Sequence, residues 1–242
     1  MRNIKLLLEY DGTDFAGWQV QKGHCTVQGV VQQALKQLLQ EQVNLIGSSR
    51  TDSGVHAQAQ VANFRTENPL ACGRIRLGLN SLLPQDVVIH RASEVVEDFH
   101  ARYDANYRRY RYVLAKRPAA VGRHYYWFPK FKYDLELMKS CSQLLVGEHN
   151  FKSFCRGKSA VKHHRCQVEE VRWTGNENEI YFEIKANRFL HGMVRTIVGT
   201  LLEVGRGKIS AEDFKTILER EDRIYGGPTA PARGLFLTEV GY

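Results

Sequence analysis

The stretch IKLLLEYDGTDFAGWQVQKGHCTVQGVVQQALKQLL, residues 4–39, defines the first strand and the first helix of the chain. In its first seven positions every second residue is large and apolar, which places Ile4, Leu6, Leu8 and Tyr10 on one face. This is the period of a strand with one buried side. After a loop that contains glycine, Thr26 is placed to cap a helix whose apolar stripe runs from Val27 to Leu39. The stretch therefore predicts a β–α unit.

The rest of the chain extends this unit into a repeated order of elements. Strands are predicted near 43–46, over 57–64 and over 86–92, with a helix over 73–83 that Pro84 ends. The second half repeats the order, with strands over 107–116, 166–173, 179–186 and 234–240 and helices over 134–145, from Arg188 to about Val204, and from Ser210, where Asp213 completes a capping box. Each half thus reads β-α-β-β-α-β apart from one extra helix.

This order predicts the fold class and the domain organisation. We expect an α+β protein with two ferredoxin-like halves, residues 1–104 and 105–242, and a mixed, mainly antiparallel sheet. Since no linker rich in proline, glycine or serine separates the halves, we expect them to pack together with a central cleft. The second half carries the extra helix and a basic loop.

The charge of the chain favours nucleic acid as its partner. Lysine and arginine outnumber aspartate and glutamate by 8, and no basic amphipathic helix suggests a membrane surface instead. The leucine run near the start is too short for a signal sequence or a membrane span. The five cysteines are scattered without a C-x-x-C motif, and KHHRC at 162–166 lacks a second ligand pair. These features predict a reduced, cytoplasmic protein without a membrane or metal partner.

The loop GSSRTDSGVHA, residues 47–57, surrounds one arginine and one aspartate with small residues. If a strand-like spacing continues through it, Arg50 and Asp52 point the same way. The loop is either a solvated turn or a place where another molecule approaches the backbone closely. A buried aspartate that acts as a base or nucleophile needs a cation to stay ionised, and arginine keeps its charge at every pH of interest.

A second candidate is FHARYDANYRRYRY, residues 99–112, in which side chains alternate along a predicted strand. Tyr110 and Tyr112 fall on one face, and Arg109 and Arg111 on the other. The tyrosines are either core residues opposite solvated arginines, or a stacking platform for an unstacked base beside cations that bind phosphate.

Further basic residues lie in two other segments and just before this strand. Arg195 belongs to a line with Arg188, Gly192 and Gly199 on the flank of a predicted apolar helix, where it either pairs with a structural acid or serves as the second cation for Asp52. The loop 151–165 contains Arg156 and Lys158, which either face solvent or contact phosphate. His100 and Arg102 add donors upstream of the tyrosines.

Seven motifs together resemble the tRNA pseudouridine synthase A family: YDGTDFAGWQ, TVQG, SSRTDSGVHA, FHARYDA with YRY, NRFLHGMVR, VGTLLEVG and TAPARGLFL. They run from residue 10 to residue 237, and RTDSGVHA is the most specific. The resemblance implies an isomerase that converts uridine to pseudouridine at positions 38, 39 and 40 in the anticodon stem-loop of tRNA. It also implies a homodimer that works without a cofactor or metal.

The resemblance assigns roles to particular residues of this chain. Asp52 matches the family's nucleophile, and Arg50 matches the active-site arginine of the same motif. Tyr110 matches the tyrosine that packs on the target base, Arg195 the basic partner of the aspartate, and Leu235 the apolar residue under the base. Arg102, Arg156 and Lys158 are the further residues that we expect to bind the substrate.

Other functions remain possible from the residues alone. Two ferredoxin-like units with tyrosines on a strand would also suit a non-catalytic RNA-binding module, although such a module has no use for a carboxylate that faces phosphates. The enzyme could also be a pseudouridine synthase that acts on another RNA. A glycosidase would need two carboxylates, for which Asp11 and Asp14 are candidates.

Overall fold

The computed structural model describes residues 1–156 and 163–242. The described chain forms an α+β protein with mainly antiparallel strand pairing. It divides into two compact units, one of residues 1–106 together with 236–242, and one of residues 107–235. The last strand of the chain therefore belongs mostly to the first unit, although the sequence pattern groups it with the second half.

The first unit has the predicted order β-α-β-β-α-β. Its elements are β1 (Arg2–Tyr10), α1 (Val27–Leu39), β2 (Ile46–Gly47), β3 (His56–Thr66), α2 (Cys72–Leu82) and β4 (Val87–Val95). Strand β1 lies between β4 and β3 and is antiparallel to both. One edge of β3 pairs with β2 at Ala62 and Asn63, and with the C-terminal strand at His56 and Ala57 in parallel orientation.

The core of the first unit follows from the periods of β1 and α1. Ile4, Leu6 and Leu8 are completely buried because alternate residues of a strand point to one face. Helix α1 buries its predicted apolar stripe, and the Thr26 hydroxyl accepts a hydrogen bond of 3.3 Å from the Gly29 N–H, as expected of an N-cap. The predicted strand and helix of residues 4–39 are thus confirmed.

The second unit joins an antiparallel sheet to three helices. Its elements are β5 (Tyr107–Ala115), α3 (Leu135–Ser142), β6 (Gly147–Asn150), β7 (Arg165–Gly175), β8 (Glu179–Ala186), α4 (Met193–Gly205) and α5 (Ala211–Glu219), and β9 (Leu235–Gly241) begins at its last residue. The strand order within the unit is β5-β8-β7-β6. The predicted β7–β8 hairpin and the Ser210–Asp213 capping box are both present.

Two sequence predictions about element boundaries are wrong. Helix α4 begins at Met193 and not at Arg188, because Gly192 has a left-handed backbone (φ 67°) that an α-helix cannot contain. Arg188 and Gly192 therefore do not share a helical line with Arg195. The strand expected near 43–46 consists of only Ile46 and Gly47.

The two faces of β5 differ as the alternation predicts. Tyr110 and Tyr112 are buried, whereas Arg109 and Arg111 lie on the more exposed side. Arg111 donates to the carboxylate of Glu183 on β8 at 3.0 and 2.8 Å, and Arg109 donates to Glu170 on β7 at 2.8 Å. These two arginines therefore bind carboxylates within the sheet.

Glu183 is a buried carboxylate that two guanidinium groups hold in place. Arg172 donates to it at 3.1 and 2.7 Å, in addition to Arg111. Burial by itself would raise the pKa of Glu183, but the hydrogen bonds from Arg172 and Arg111 leave that pKa below its usual value. The ionised carboxylate consequently stabilises the folded sheet.

We expect Glu183→Gln to lower the free energy of unfolding at pH 7 by about 1–3 kcal/mol, because two arginines lose their charged acceptor. A carboxyl whose pKa is lowered by folding contributes stability above its unfolded pKa, near 4.3, and loses it as the pH falls through the lower, folded value. Urea unfolding at several pH values should therefore show the difference between variant and wild type shrinking below about pH 4.

The matched control is Glu136→Gln, which removes an exposed carboxylate paired with Lys139 and should cost less than about 1 kcal/mol. A Glu183→Gln penalty that stays constant down to pH 3 would contradict this account.

Candidate active site

Two glycines of the loop 11–20 allow it to lie directly against the loop 47–55. A Cβ atom at Gly12 would come within 2.0 Å of the Val55 carbonyl oxygen, and one at Gly17 within 2.7 Å of the Thr51 carbonyl oxygen. Gly17 also has a positive φ of 96°. The Trp18 N–H donates to that Thr51 oxygen at 3.1 Å. The two loops thus pack backbone against backbone.

A buried glutamine on β3 anchors the residues that precede Asp52. The Gln60 Oε1 accepts from the Ser48 hydroxyl at 2.7 Å and from the Ser49 N–H at 3.3 Å, while its Nε2 donates to the Ser49 carbonyl at 2.9 Å. The Tyr10 hydroxyl lies 3.4 Å from that Nε2 and 2.8 Å from the Thr51 hydroxyl. This anchor network of Tyr10, Ser48, Ser49, Thr51 and Gln60 holds an irregular loop in one conformation.

Asp52 follows the anchor network directly. Thr51 is buried, Asp52 is half-buried and Arg50 is exposed. The Val55 N–H donates to the Asp52 carbonyl oxygen at 3.2 Å and closes a turn around the aspartate. The backbone of Asp52 is therefore fixed on both sides, while its side chain keeps access to a solute.

In the second unit, the buried Tyr112 lies near two arginines, Arg195 and Arg233. Its hydroxyl donates to the Pro231 carbonyl at 2.7 Å. Burial raises its pKa far above the usual range, against the opposing charges of Arg195 and Arg233, so the phenol stays neutral. The neighbouring Tyr110 is also buried and meets Phe189 edge to face, with ring centroids 5.0 Å apart.

Arg195 is held by the segment 226–231, which lies across α4. Its Nε donates to the Ala230 carbonyl at 2.8 Å, and the Ala230 N–H donates back to the Arg195 carbonyl at 3.0 Å. The close approach depends on Gly199, where a Cβ atom would lie 1.8 Å from the Pro228 carbonyl oxygen. The glycine thus sets the position of the arginine.

Leu235 is the last residue of the second unit and follows Gly234, which lies against the Tyr112 ring. It is buried, and the preceding Gly234 has no side chain, since a Cβ atom there would lie 2.8 Å from the Tyr112 ring. Tyr110, Arg195 and Leu235 are therefore three predicted site residues of one unit, whereas Arg50, Asp52 and Arg102 belong to the other.

Two of the predicted RNA-binding residues, Arg102 and Arg156, are exposed. Arg156 is exposed, and its N–H donates to the His191 carbonyl at 2.8 Å, just before α4. Arg102 is exposed in the turn that follows β4. Lys158 lies outside the described residues.

The described residues contain neither a cluster of metal ligands nor a helix that could span a membrane. Within residues 1–156 and 163–242, no group of three or more histidine, cysteine, aspartate or glutamate side chains could hold a metal ion. None of the helices in this described part of the chain has the length and apolar character needed to cross a membrane.

Comparison with known proteins identifies the family of the chain. The family model for tRNA pseudouridine synthase matches residues 7–104 and 141–242. The chain belongs to this family, which confirms the resemblance seen in the motifs, and it is therefore an enzyme that isomerises uridine in tRNA.

Curated relatives match over their whole length. Proteins named tRNA pseudouridine synthase A from Acetivibrio thermocellus and from Thermoanaerobacter sp. (strain X514) are 45% and 43% identical to this chain over 244 residues. A protein of the same name from Caldicellulosiruptor bescii is 42% identical over 245 residues. In each case the match covers 100% of both chains.

Gln60 and the part of Tyr10 in the anchor network were not among the sequence predictions. A signal was present, since Gln60 is in phase with Ala62 and Phe64, which point into the core from the same face of β3. A glutamine at such a position must find hydrogen-bond partners inside the protein.

We expect Gln60→Leu to destabilise the protein by about 1–3 kcal/mol, because the polar groups of Ser48, Ser49 and Tyr10 lose their hydrogen bonds to Gln60. Since these groups position the turn at Asp52, kcat for pseudouridine formation should fall at temperatures where the variant is still folded, with little change in KM. Thermal unfolding and steady-state kinetics on tRNA measure the two effects.

Ser142→Ala is the matched control, because Ser142 is also buried and its hydroxyl accepts a hydrogen bond from the Trp173 indole N–H at 2.9 Å. It should lose comparable stability and keep its kcat. Equal losses of kcat in the two variants would show that Gln60 matters for stability alone.

Proposed function

We propose that this enzyme converts uridine to pseudouridine at positions 38, 39 and 40 in the anticodon stem-loop of tRNA, with Asp52 as its catalytic carboxylate. The observation that carries the proposal is the half-buried Asp52 at the end of the anchor network, in a loop of small residues. A loop that is fixed yet small-sided suits a carboxylate that a nucleotide must approach closely.

The reaction needs an ionised carboxylate and a confined base. The bond from C1′ of the ribose to N1 of uracil breaks, the base turns over, and a bond forms from C1′ to C5. C5 loses its proton and N1 gains one, so that no atoms are gained or lost. The carboxylate acts either at C1′ as a nucleophile or at the 2′ position, and both routes require its negative charge. We assign to Arg50, two residues away, the stabilisation of that charge.

Three residues of the second unit are assigned roles, two in holding the base and one as a cation in the reaction. Tyr110 packs on the uracil ring, Leu235 forms an apolar floor, and Arg195 is a catalytic cation. Support comes from the buried Tyr110 ring beside Phe189 and from the two hydrogen bonds that fix Arg195 on Ala230. An aromatic face and an apolar floor hold a detached base without preventing its rotation.

The remaining assignments concern RNA binding and assembly. Arg102 and Arg156 are exposed and are assigned to phosphate groups, as is Lys158. Their contacts would offset the few kcal/mol needed to take the target base out of its stack. A cytoplasmic homodimer is part of the same proposal.

We also propose that the two units are ferredoxin-like, with the division near residue 104. The first unit supports this with its β-α-β-β-α-β order and its neighbouring strands β4, β1, β3 and β2. In the second unit, β5, α3, β7, β8 and α4 follow the first five elements of the same order.

A glycosidase mechanism has less support, because Asp11 is engaged in its own turn. Its Oδ1 accepts from the N–H and the hydroxyl of Thr13 at 2.9 and 2.6 Å, and lies 3.0 Å from the His56 Nδ1. Asp14, the other candidate, is exposed.

We expect Asp52→Asn to lower kcat by at least about 10³-fold, because the amide provides no anionic oxygen for the reaction. Pseudouridine formation in a tRNA transcript with uridines at 38, 39 and 40 measures the loss, and mapping the product sites tests the positions. Asp14→Asn, in the adjacent loop, is the control and should keep wild-type activity. Wild-type turnover by Asp52→Asn would refute the assignment.

We expect Tyr110→Leu to lower kcat/KM by about ten-fold or more, because leucine fills the space but has no aromatic face for the uracil. Tyr110→Phe keeps the ring and should retain most of the activity. Single-turnover kinetics compares the variants, with circular dichroism confirming the fold. If Leu and Phe at this position behave alike, the ring is only a core residue.

A further inference from the structure

The turn after β4, residues 99–104, exposes an aromatic ring in a defined position. Tyr103 is 75% exposed, the largest value for a tyrosine in the described part of the chain. Its ring stacks on His100, with centroids 4.3 Å apart and planes 30° from parallel. The guanidinium carbon of Arg102 lies 5.7 Å from the ring centre. We call His100, Arg102 and Tyr103 the turn platform.

Buried asparagines attach this turn to the sheet of the first unit. The Asn63 Oδ1 on β3 accepts from the Ala101 N–H at 2.9 Å, and its Nδ2 donates to the Asn3 Oδ1 at 2.9 Å. Asn3 on β1 donates in turn to the Phe99 carbonyl at 2.8 Å. Both asparagines are almost completely buried, and buried amides hold their partners firmly.

Further contacts fix the turn from its other side. The Tyr242 hydroxyl donates to the Ala101 carbonyl at 2.7 Å, and the Tyr242 ring packs on Phe99 with centroids 5.0 Å apart. The His100 N–H donates to the Asp104 carboxylate at 2.8 Å, and the Asp104 N–H donates to the His100 carbonyl at 3.1 Å. The backbone under the turn platform is thus fixed, while the Tyr103 ring remains mostly in solvent.

From this arrangement we infer that Tyr103 stacks against an unpaired base of the bound RNA, while Arg102 faces the adjacent phosphate. A pre-positioned ring pays little entropy on binding, and an aromatic face beside a cation matches the two parts of an unstacked nucleotide. The inference rests on the proposed function only for the nature of the partner, RNA. It adds a contact that is separate from the residues assigned to the isomerisation.

The surroundings of Tyr103 favour RNA over a protein partner. Its immediate neighbours are charged or polar, namely His100, Arg102 and Asp104, whereas the centre of a protein interface is depleted of charge. The chain has a formal net charge of +8, which attracts phosphate-rich ligands. With three quarters of the side chain exposed, ring surface is available for a base.

The test is the affinity of full-length tRNA for three Tyr103 variants. We expect Tyr103→Ala and Tyr103→Leu to weaken binding on the order of ten-fold, because both lack an aromatic face, and Tyr103→Phe to bind like wild type. The kcat at saturating tRNA should stay unchanged in all three. This separates the platform from Asp52, whose replacement should abolish turnover and leave binding intact.

The matched control is Tyr225→Ala, since Tyr225 is 46% exposed and also lies under an arginine, with the Arg220 guanidinium carbon 4.4 Å from its ring centre. It should bind tRNA like wild type. Because Tyr103 is exposed, none of its variants should shift the thermal unfolding temperature.

Abasic tRNA gives a second, independent measurement. Removing the base that stacks on Tyr103 should weaken binding to the wild-type protein and have no further effect on Tyr103→Ala. The inference is overturned if Tyr103→Ala binds normally, if leucine serves as well as phenylalanine, or if Tyr225→Ala weakens binding equally. It is also overturned if, at every abasic position tested, the loss of tRNA affinity adds fully to the loss caused by Tyr103→Ala.

Discussion

The hydrogen bonds of the Gln60 side chain are the constraint on which the candidate active site depends. We propose that the residues before Asp52 are small so that a nucleotide can approach them, but small residues give a loop few packing contacts of its own. Gln60 on β3 supplies the contacts that the loop lacks, because its one buried amide makes hydrogen bonds to both Ser48 and Ser49. Tyr10 extends the same network to Thr51, so that the residue next to the aspartate is also held. Order in this loop thus comes from β1 and β3.

Glycine serves a related purpose in both units. At Gly12 and Gly17 it lets one loop lie on the backbone of another, and at Gly199 it lets the segment 226–231 lie on α4. At Gly199 the approach also fixes a side chain, since Arg195 donates to the Ala230 carbonyl. Main-chain partners do not titrate, so this part of the support does not change with pH.

Local sequence patterns predict local structure well in this chain and long-range pairing poorly. The alternation at Ile4 to Tyr10 and the Thr26 cap were sufficient for β1 and α1, because both depend on neighbours within a few residues. The predicted start of α4 was too early because the apolar periodicity extends upstream through Gly192. The left-handed backbone of Gly192 makes the helix begin only at Met193. No local pattern could reveal that β9 pairs with β3, or that Gln60 reaches Ser48, since these partners are set by the tertiary fold. Asp52 was singled out because it stands with Arg50 in a loop of small residues and because its motif resembles a family, whereas Gln60 lies outside every motif that carries the resemblance.

The arginines show why a basic composition alone does not map an RNA-binding surface. On β5, Arg109 and Arg111 alternate with two tyrosines, and the sequence left open whether they bind phosphate. In the structure they bind Glu170 and Glu183, so that phosphate would have to compete with a carboxylate that is already in place. Arg102 lies in an exposed turn that Asn63 holds through the Ala101 N–H, and the backbone N–H of the exposed Arg156 donates to the His191 carbonyl. We propose that exposure on a fixed backbone suits Arg102 and Arg156 to phosphate, since an exposed cation on a rigid support can meet phosphate at little cost in entropy.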